Sequence, residues 1–171
     1  MLGACFCEGG HLLADDFGSP GQTVVVELDC GRPDLSSMAL ISIIDDDEDF
    51  RVAITDLIEV KGFKVEAFAS AVDFLAHPNV CHTSCLIADV HMPRMTGIEL
   101  HSYLVGSGRD IPTVLITAFP DDSARVRALG QGVVCYLSKP VDEETLFKCV
   151  GLALQRAQPH QNLSGPSRSP Q

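Results

Sequence analysis

At 171 residues, with 46% hydrophobic and 20% charged residues, the chain is long enough to bury a core and reads as one globular domain. Its 12 Lys and Arg against 23 Asp and Glu leave a net charge of −11, which argues against the basic patch that nucleic acid or an anionic membrane surface requires. No window approaches the roughly 18 apolar residues of a membrane helix, and the opening MLGACFCEGG has neither the basic nor the apolar region of a secretory signal.

Residues 1–37 carry GG, GSPG and GRP punctuation, no sustained period and one strand-like stretch, TVVVEL. They are expected to form a poorly ordered extension. Met38 directly precedes the first strong strand, so translation beginning there is one way to read that extension. The seven cysteines (5, 7, 30, 81, 85, 135 and 149) lack the paired spacing of zinc sites, and several sit in apolar runs. Reduced thiols in a cytoplasm are expected.

From residue 39 a strand-then-helix rhythm sets in. Leu40–Ile44 is a short, β-branched apolar run of the kind buried on both faces of a sheet. Five acidic residues, Asp45–Asp49, follow it. Phe50, Ala53, Ile54, Leu57 and Ile58 then make a helical stripe, ended by Gly62. FKVEAF alternates like a second strand, and Ser70 with Asp73 starts a short helix that His77-Pro78 closes.

Cys85–Ala88, ending at Asp89, is the third strand; Thr96 and Glu99 form a capping box leading into IELHSYLV, stopped at Gly106. Thr113–Thr117 is the fourth strand, a helix through SARVRAL ends at Gly130, and Val133–Leu137 is the fifth strand. A final helix runs from about Asp142 to Arg156, and the Pro/Ser/Gln-rich residues 158–171 are expected to be disordered. The fold expected is α/β, a parallel five-stranded sheet with helices on both faces. Ligands of such sheets bind beyond the carboxyl ends of the strands, so the residues there are the ones to examine.

Those ends carry Asp45 and Asp46 after strand one, Asp89 and Met92-Pro93-Arg94-Met95-Thr96-Gly97 after strand three, Thr117-Ala118 after strand four, and Lys139-Pro140 after strand five, with Tyr136 three residues before the lysine. Three carboxylates converging at about 4 Å repel by roughly 4 kcal/mol per pair at an effective dielectric of 20. Lys139 cancels one of the three charges of Asp45, Asp46 and Asp89, and a divalent hard cation such as Mg2+ would cancel the remainder. Asp89 could then act as a nucleophile toward a phosphoryl group, with Thr117 donating a hydrogen bond and Lys139 neutralising charge.

This set of residues resembles the receiver domain of bacterial response regulators, the nitrogen-fixation-regulator type most closely, over residues 38–157. The resemblance implies a flavodoxin-like strand order, 2-1-3-4-5, and phosphorylation of Asp89 by a histidine kinase or phosphotransfer protein. It implies Mg2+ held by Asp46, Asp89 and the backbone carbonyl of His91, with Asp45 acting through water, and a cis bond at Lys139-Pro140. It also implies a switch through Thr117 and Tyr136 that remodels the face made by helix four, strand five and helix five, for reading by a downstream protein.

Bland alternatives stand beside these readings. Asp47, Glu48 and Asp49 suit the first turn of a helix, where negative charge offsets the dipole. The imidazoles of His91 and His101 are expected to face solvent. A haloacid-dehalogenase-type phosphatase would explain Asp45-x-Asp47, but Asp49 stands where Thr or Val belongs and Asp89 is left without a task. A receiver-like binding module that is never phosphorylated is the other alternative. The 14 residues after Ala157 hold no helix-turn-helix, so a stand-alone cytoplasmic receiver acting through protein contacts, without direct nucleic-acid binding, is expected.

Overall fold

A computed structural model describes residues 39–157 and two short strands before them, 11–14 and 24–27. Those strands, β1 (His11–Ala14) and β2 (Val24–Glu27), pair antiparallel, Ala14 opposite Val24. The strand-like stretch TVVVEL is thus a strand at its centre, and its partner at His11–Ala14 gave no sequence signal beyond two leucines. The expected disorder of the remainder of residues 1–37 and of 158–171 lies outside the described residues.

The main body alternates strands and helices: β3 (Leu40–Ile44), α1 (Glu48–Val60), β4 (Lys64–Phe68), α2 (Ala71–Leu75), β5 (Thr83–Asp89), α3 (Gly97–Gly106), β6 (Thr113–Thr117), α4 (Asp122–Gly130), β7 (Cys135–Ser138) and α5 (Glu143–Ala157). A 3-10 turn, Pro78–His82, which the sequence did not announce, carries the chain from α2 into β5. The five strands β3–β7 form a parallel sheet in the order β4-β3-β5-β6-β7, the 2-1-3-4-5 arrangement expected.

Side-chain alternation splits the core into two layers. Ile44, Leu86, Ala88, Leu115 and Tyr136 face α2, α3 and α4 through Phe74, Leu100, Leu104 and Ala128. Ile41, Ile43, Cys85, Ile87, Val114 and Ile116 face α1 and α5 through Ile54, Ile58, Leu146 and Val150. Burying such a Leu or Ile side chain stabilises by about 1.5–3 kcal/mol, and the central strands β3, β5 and β6 are buried along almost their whole length, whereas β4 at the edge is only half-buried. The one polar side chain inside β3, Ser42, is satisfied by Thr83 at 2.8 Å.

The helix boundaries follow local chemistry. Asp47 caps α1, its carboxylate accepting from the N–H groups of Asp49 and Phe50. Gly62, at φ +87°, lets the chain leave that helix. Thr96 and Glu99 form the complete capping box at α3, and Ser70 caps α2 by accepting from the Asp73 N–H.

Two expectations need correction. His101 is buried, not solvent-facing: it lies on the inward face of α3 beside Leu100 and Leu104. Its Nδ1 lies 3.1 Å from Thr113 Oγ1 and its Nε2 3.1 Å from the Gln131 carbonyl, so its polar atoms are partnered inside the fold. The cysteines are not all thiols: Cys135 and Cys149 are joined in a disulfide, Cys81 is disulfide-bonded, and among the described residues only Cys85 is free. The Cys135–Cys149 pairing has no local spacing signature, because tertiary folding alone brings β7 against α5. For Cys85 the plain reading holds, since burial pushes its thiol up to about 12 and keeps it a small hydrophobe.

Candidate functional site

Three strand ends and one loop meet at the carboxyl edge of the sheet. β3 delivers Asp45, which is 2% exposed, and its Oδ1 accepts from the Asp47 N–H at 2.9 Å. β5 delivers Asp89, 6% exposed, whose Oδ2 accepts from the His91 N–H at 2.5 Å. β6 ends at the fully buried Thr117. After β7, the cis-linked Lys139-Pro140 brings the Lys139 ammonium back over the site.

That ammonium is the hub. Lys139 Nζ lies 2.7 Å from Asp45 Oδ2 and 3.0 Å from Asp89 Oδ1, bridging residues 94 positions apart in sequence in the first case. The lysine backbone is held too, its N–H donating to the Thr117 carbonyl at 2.7 Å. Burial pushes the Asp45 carboxyl above its ordinary value, more than the Lys139 and Asp47 hydrogen bonds pull it down. Burial also works to lower the Lys139 pKa, but the two carboxylates outweigh it and the net direction is up, which keeps the ammonium charged.

The Met-Pro loop has a mechanical explanation. Met92 and Met95 are both 5% exposed and plug into the core layer beneath the loop. Arg94 turns the chain through φ +71°. Gly97 packs so closely under Asp89 that a Cβ there would overlap the Asp89 carbonyl oxygen. Spacing from Asp89 to Gly97 is therefore set by contact, and the loop fixes the carboxylate's backbone.

The other expected residues are placed as follows. Asp46 is exposed beside Asp45. His91 is exposed, as expected of its ring, yet its Nδ1 lies 3.1 Å from Thr117 Oγ1 and the ring stacks edge-on with Phe119. Thr117 Oγ1 accepts from the Phe119 N–H and donates back to the Phe119 carbonyl. Tyr136 is turned inward, 8% exposed, and its buried hydroxyl meets no hydrogen-bond geometry among the described residues. Burial, reinforced by the charge of Asp121, pushes its phenol up.

Two contributors escaped sequence reasoning. Phe50, counted only as part of an apolar stripe, places its ring 3.9 Å beneath the Lys139 ammonium, a cation–π contact. Arg51 donates from Nη1 to the Asp45 carbonyl at 2.7 Å. Phe50 follows the acidic run directly, which was the available clue; Arg51 offered none.

The donor set can be tested for a metal. Among the described residues no three acidic, histidine or cysteine side chains are already gathered around a single point. Asp45 and Asp89 nevertheless face one centre, the Lys139 ammonium, with Asp46 adjacent, and every donor is a hard oxygen. The charges of Asp45, Asp46, Asp89 and Lys139 sum to −2, so a divalent oxygen-seeking ion suits the charge and donor chemistry of this edge.

Comparison with known proteins decides the family. Residues 41–151 match the family described as response regulator receiver domain. The chain belongs to it. The response regulator protein TodT of Pseudomonas putida is 36% identical over 128 residues, which cover 75% of this chain and 56% of TodT. The transcriptional regulatory protein FixJ of Rhizobium meliloti is 31% identical over 120 residues, covering 70% of this chain and 57% of FixJ. Among solved structures, FixJ-N superposes with a TM-score of 0.63 at 30% identity, covering 70% of this chain and 95% of that one, and the response regulator StyR with a TM-score of 0.64 at 34% identity, covering 71% and 61%. The chain thus spans just over half the length of these two curated relatives. The receiver fold and its place in two-component phosphoacceptor signalling follow for residues 41–151. No helix among the described residues is long and apolar enough to cross a membrane.

Proposed function

We propose that Asp89 is the phosphoacceptor, taking a phosphoryl group from a histidine kinase or phosphotransfer protein in the cytoplasm, and that residues 38–157 form the unit that responds. The carrying observation is the single ammonium of Lys139 held between Asp45 and Asp89. An Asp89 carboxylate oxygen forms a bond to phosphorus as the donor's bond to phosphorus breaks. Such transfer needs in-line placement and charge neutralisation more than proton transfer. Lys139 is positioned to neutralise charge, and the loop pinned by Met92, Met95 and Gly97 keeps Asp89 in place.

Mg2+ would be held by Asp46, Asp89 and the His91 carbonyl, with Asp45 acting through water, and when bound it supplies further neutralisation of the phosphoryl oxygens. Thr117 then exchanges its bonds to Phe119 and His91 for one to the phosphoryl group. Tyr136 reports the change on the face made by α4, β7 and α5, where a downstream protein reads it. The unit is a switch and not a turnover enzyme on external substrates; it assists only its own phosphorylation and dephosphorylation.

The phosphatase reading is disfavoured by Asp47, whose carboxylate is engaged in capping α1 instead of facing Asp45's partners. Incubation with a small phosphodonor and Mg2+, followed by intact mass, tests the proposal. One added phosphoryl group is expected, lost in Asp89→Asn and blocked by a chelator. A label that persists in Asp89→Asn moves the nucleophile elsewhere, and sustained turnover of unrelated phosphoesters returns the phosphatase.

A further inference from the structure

Cys135 and Cys149 lie well away from the carboxylate edge and take no part in phosphoryl transfer. Cys135 is the first residue of β7, and Cys149 is on the inward face of α5. Their Cα atoms are 5.9 Å apart, within the span of about 4.4–6.8 Å that a disulfide bridges without backbone movement. Both side chains belong to the apolar layer between the sheet and helices α1 and α5. A thiol there is tolerated as a small hydrophobe, so the same site accepts either oxidation state.

Position gives the pair a consequence. Cys135 and Tyr136 are neighbours on β7 and so point to opposite faces of the sheet, Cys135 toward α5 and Tyr136 toward the α3–α4 layer. In register, Cys135 lies against Val114, Tyr136 against Leu115 and Ser138 against Thr117. One residue beyond Ser138 comes Lys139. A covalent tie at Cys135 therefore anchors the strand that bears Tyr136 and delivers the lysine of the site.

We propose that Cys135 and Cys149 form a reversible dithiol–disulfide site whose oxidation fastens β7 to α5 and stiffens the face that phosphorylation remodels. The last clause rests on the phosphoacceptor reading above; the redox chemistry does not. The oxidant class is a low-molecular-weight disulfide. Cys135, the half-buried member, attacks one sulfur as its thiolate, forming a mixed disulfide and expelling one thiolate. The thiolate of the buried Cys149 then attacks the Cys135 Sγ and expels the second. Two electrons pass into the oxidant's sulfur–sulfur bond, and the two protons lost by the cysteines end on the two released thiols. In a reducing compartment the pair returns to thiols, which makes the tie conditional and not a permanent staple.

The test uses the full chain equilibrated with oxidised or reduced glutathione, quenched in acid, alkylated and digested without reductant. A linked peptide pair holding Cys135 and Cys149, about 2 Da lighter than the two free peptides together, is expected only in the oxidised sample. Amide exchange over β7 and the middle of α5 should slow at least about threefold in that sample. After phosphodonor treatment, the exchange change across β7 should be correspondingly smaller than in the reduced chain. Cys149→Ser should remove the redox dependence of exchange.

Recovery of both cysteines as alkylated thiols under the oxidised condition overturns the site. A linked pair with unchanged exchange overturns the stiffening. If Asp89 takes up no phosphoryl group in either state, the phosphoacceptor reading fails, and the peptide and exchange results from the untreated chain still decide for or against the redox site.

Discussion

Replacing Asp45 by asparagine should make the metal-free protein more stable at neutral pH, although Asp45 sits at the heart of the site. Asp45 and Asp89 are almost fully buried and share one ammonium. Two carboxylates on the order of 5 Å apart repel by about 3 kcal/mol at an effective dielectric of 20. The charged hydrogen bond from Lys139 to Asp45 returns about 1.5–3 kcal/mol. Desolvation remains, and it is the largest influence raising the Asp45 pKa above 3.8.

The sign follows from linkage. A carboxyl whose pKa is raised by folding binds its proton more tightly in the native state, so its stabilising contribution is present below 3.8 and is lost as pH rises through the raised value. At pH 7.5 the ionised group is a net liability. Asparagine keeps an oxygen to accept the Asp47 N–H, while its NH2 group takes the place of the Oδ2 that accepted from Lys139, so the ammonium shifts off it and stays with Asp89. The expected gain is about 1 kcal/mol, or roughly 3–6 °C in Tm for a domain of this size. Thermal unfolding by circular dichroism, with chelator at pH 7.5 and again near pH 3.5, reads it. The gain should shrink toward zero in acid, and added Mg2+ should stabilise the natural protein more than the variant. A variant less stable than the natural protein at pH 7.5 without metal, or a difference unchanged by pH, refutes the reasoning.

Three other substitutions probe the same construction. Gly97→Ala should cost about 2–3 kcal/mol in urea unfolding and reduce phosphoryl uptake, because the new methyl group must displace the Asp89 carbonyl and also press on Leu115. Tyr136→Phe removes a buried hydroxyl that has no partner among the described residues and should raise stability by about 1 kcal/mol, again by urea unfolding; a loss of that size would mean that the hydroxyl is satisfied in solution. Lys139→Met keeps an apolar stem over Phe50 but strands two buried carboxylates. It should lose about 2 kcal/mol at pH 7.5 in a chelator, recover in acid as Asp45 is protonated, and take up phosphoryl groups far more slowly by intact mass.

What the sequence disclosed was governed by near neighbours. Leu40–Ile44 and Thr113–Thr117 emerge with the expected bounds because short apolar runs closed by charge leave little freedom in where a buried strand ends. The capping box of Thr96 and Glu99, the acidic first turn of α1 and the Gly62 exit are each decided within one turn of backbone, though Asp47, expected in that turn, is its cap. The fifth strand was harder: Val133 and Val134 suit a strand by composition, but the ladder begins at Cys135, after the turn at Gly132. His101 misled because its polarity suggests solvent, whereas burial depends on whether Thr113 and the Gln131 carbonyl, far along the chain, stand ready to partner it. The cysteine pair was illegible for the same reason, since 14 residues of spacing say nothing until α5 folds back on β7.

The site itself divides along this line. Which acids converge could be read from strand ends, because a parallel sheet sends every carboxyl terminus to one edge. That Lys139 offsets part of their charge could be read as well; that its ammonium is shared by Asp45 and Asp89 at 2.7 and 3.0 Å while resting on Phe50 could not, because it depends on contacts made only in the fold. Of five consecutive acids, only Asp45 is drawn into that balance; Asp47 serves the helix, and Glu48 and Asp49 face its dipole from the first turn. The frustration is therefore concentrated in a few buried carboxylates instead of spread over the acidic run. A cradle left net negative, with the Lys139 ammonium already shared, gains most from a ligand that adds positive charge, and that is the physical reason to expect metal and phosphoryl chemistry to be coupled there.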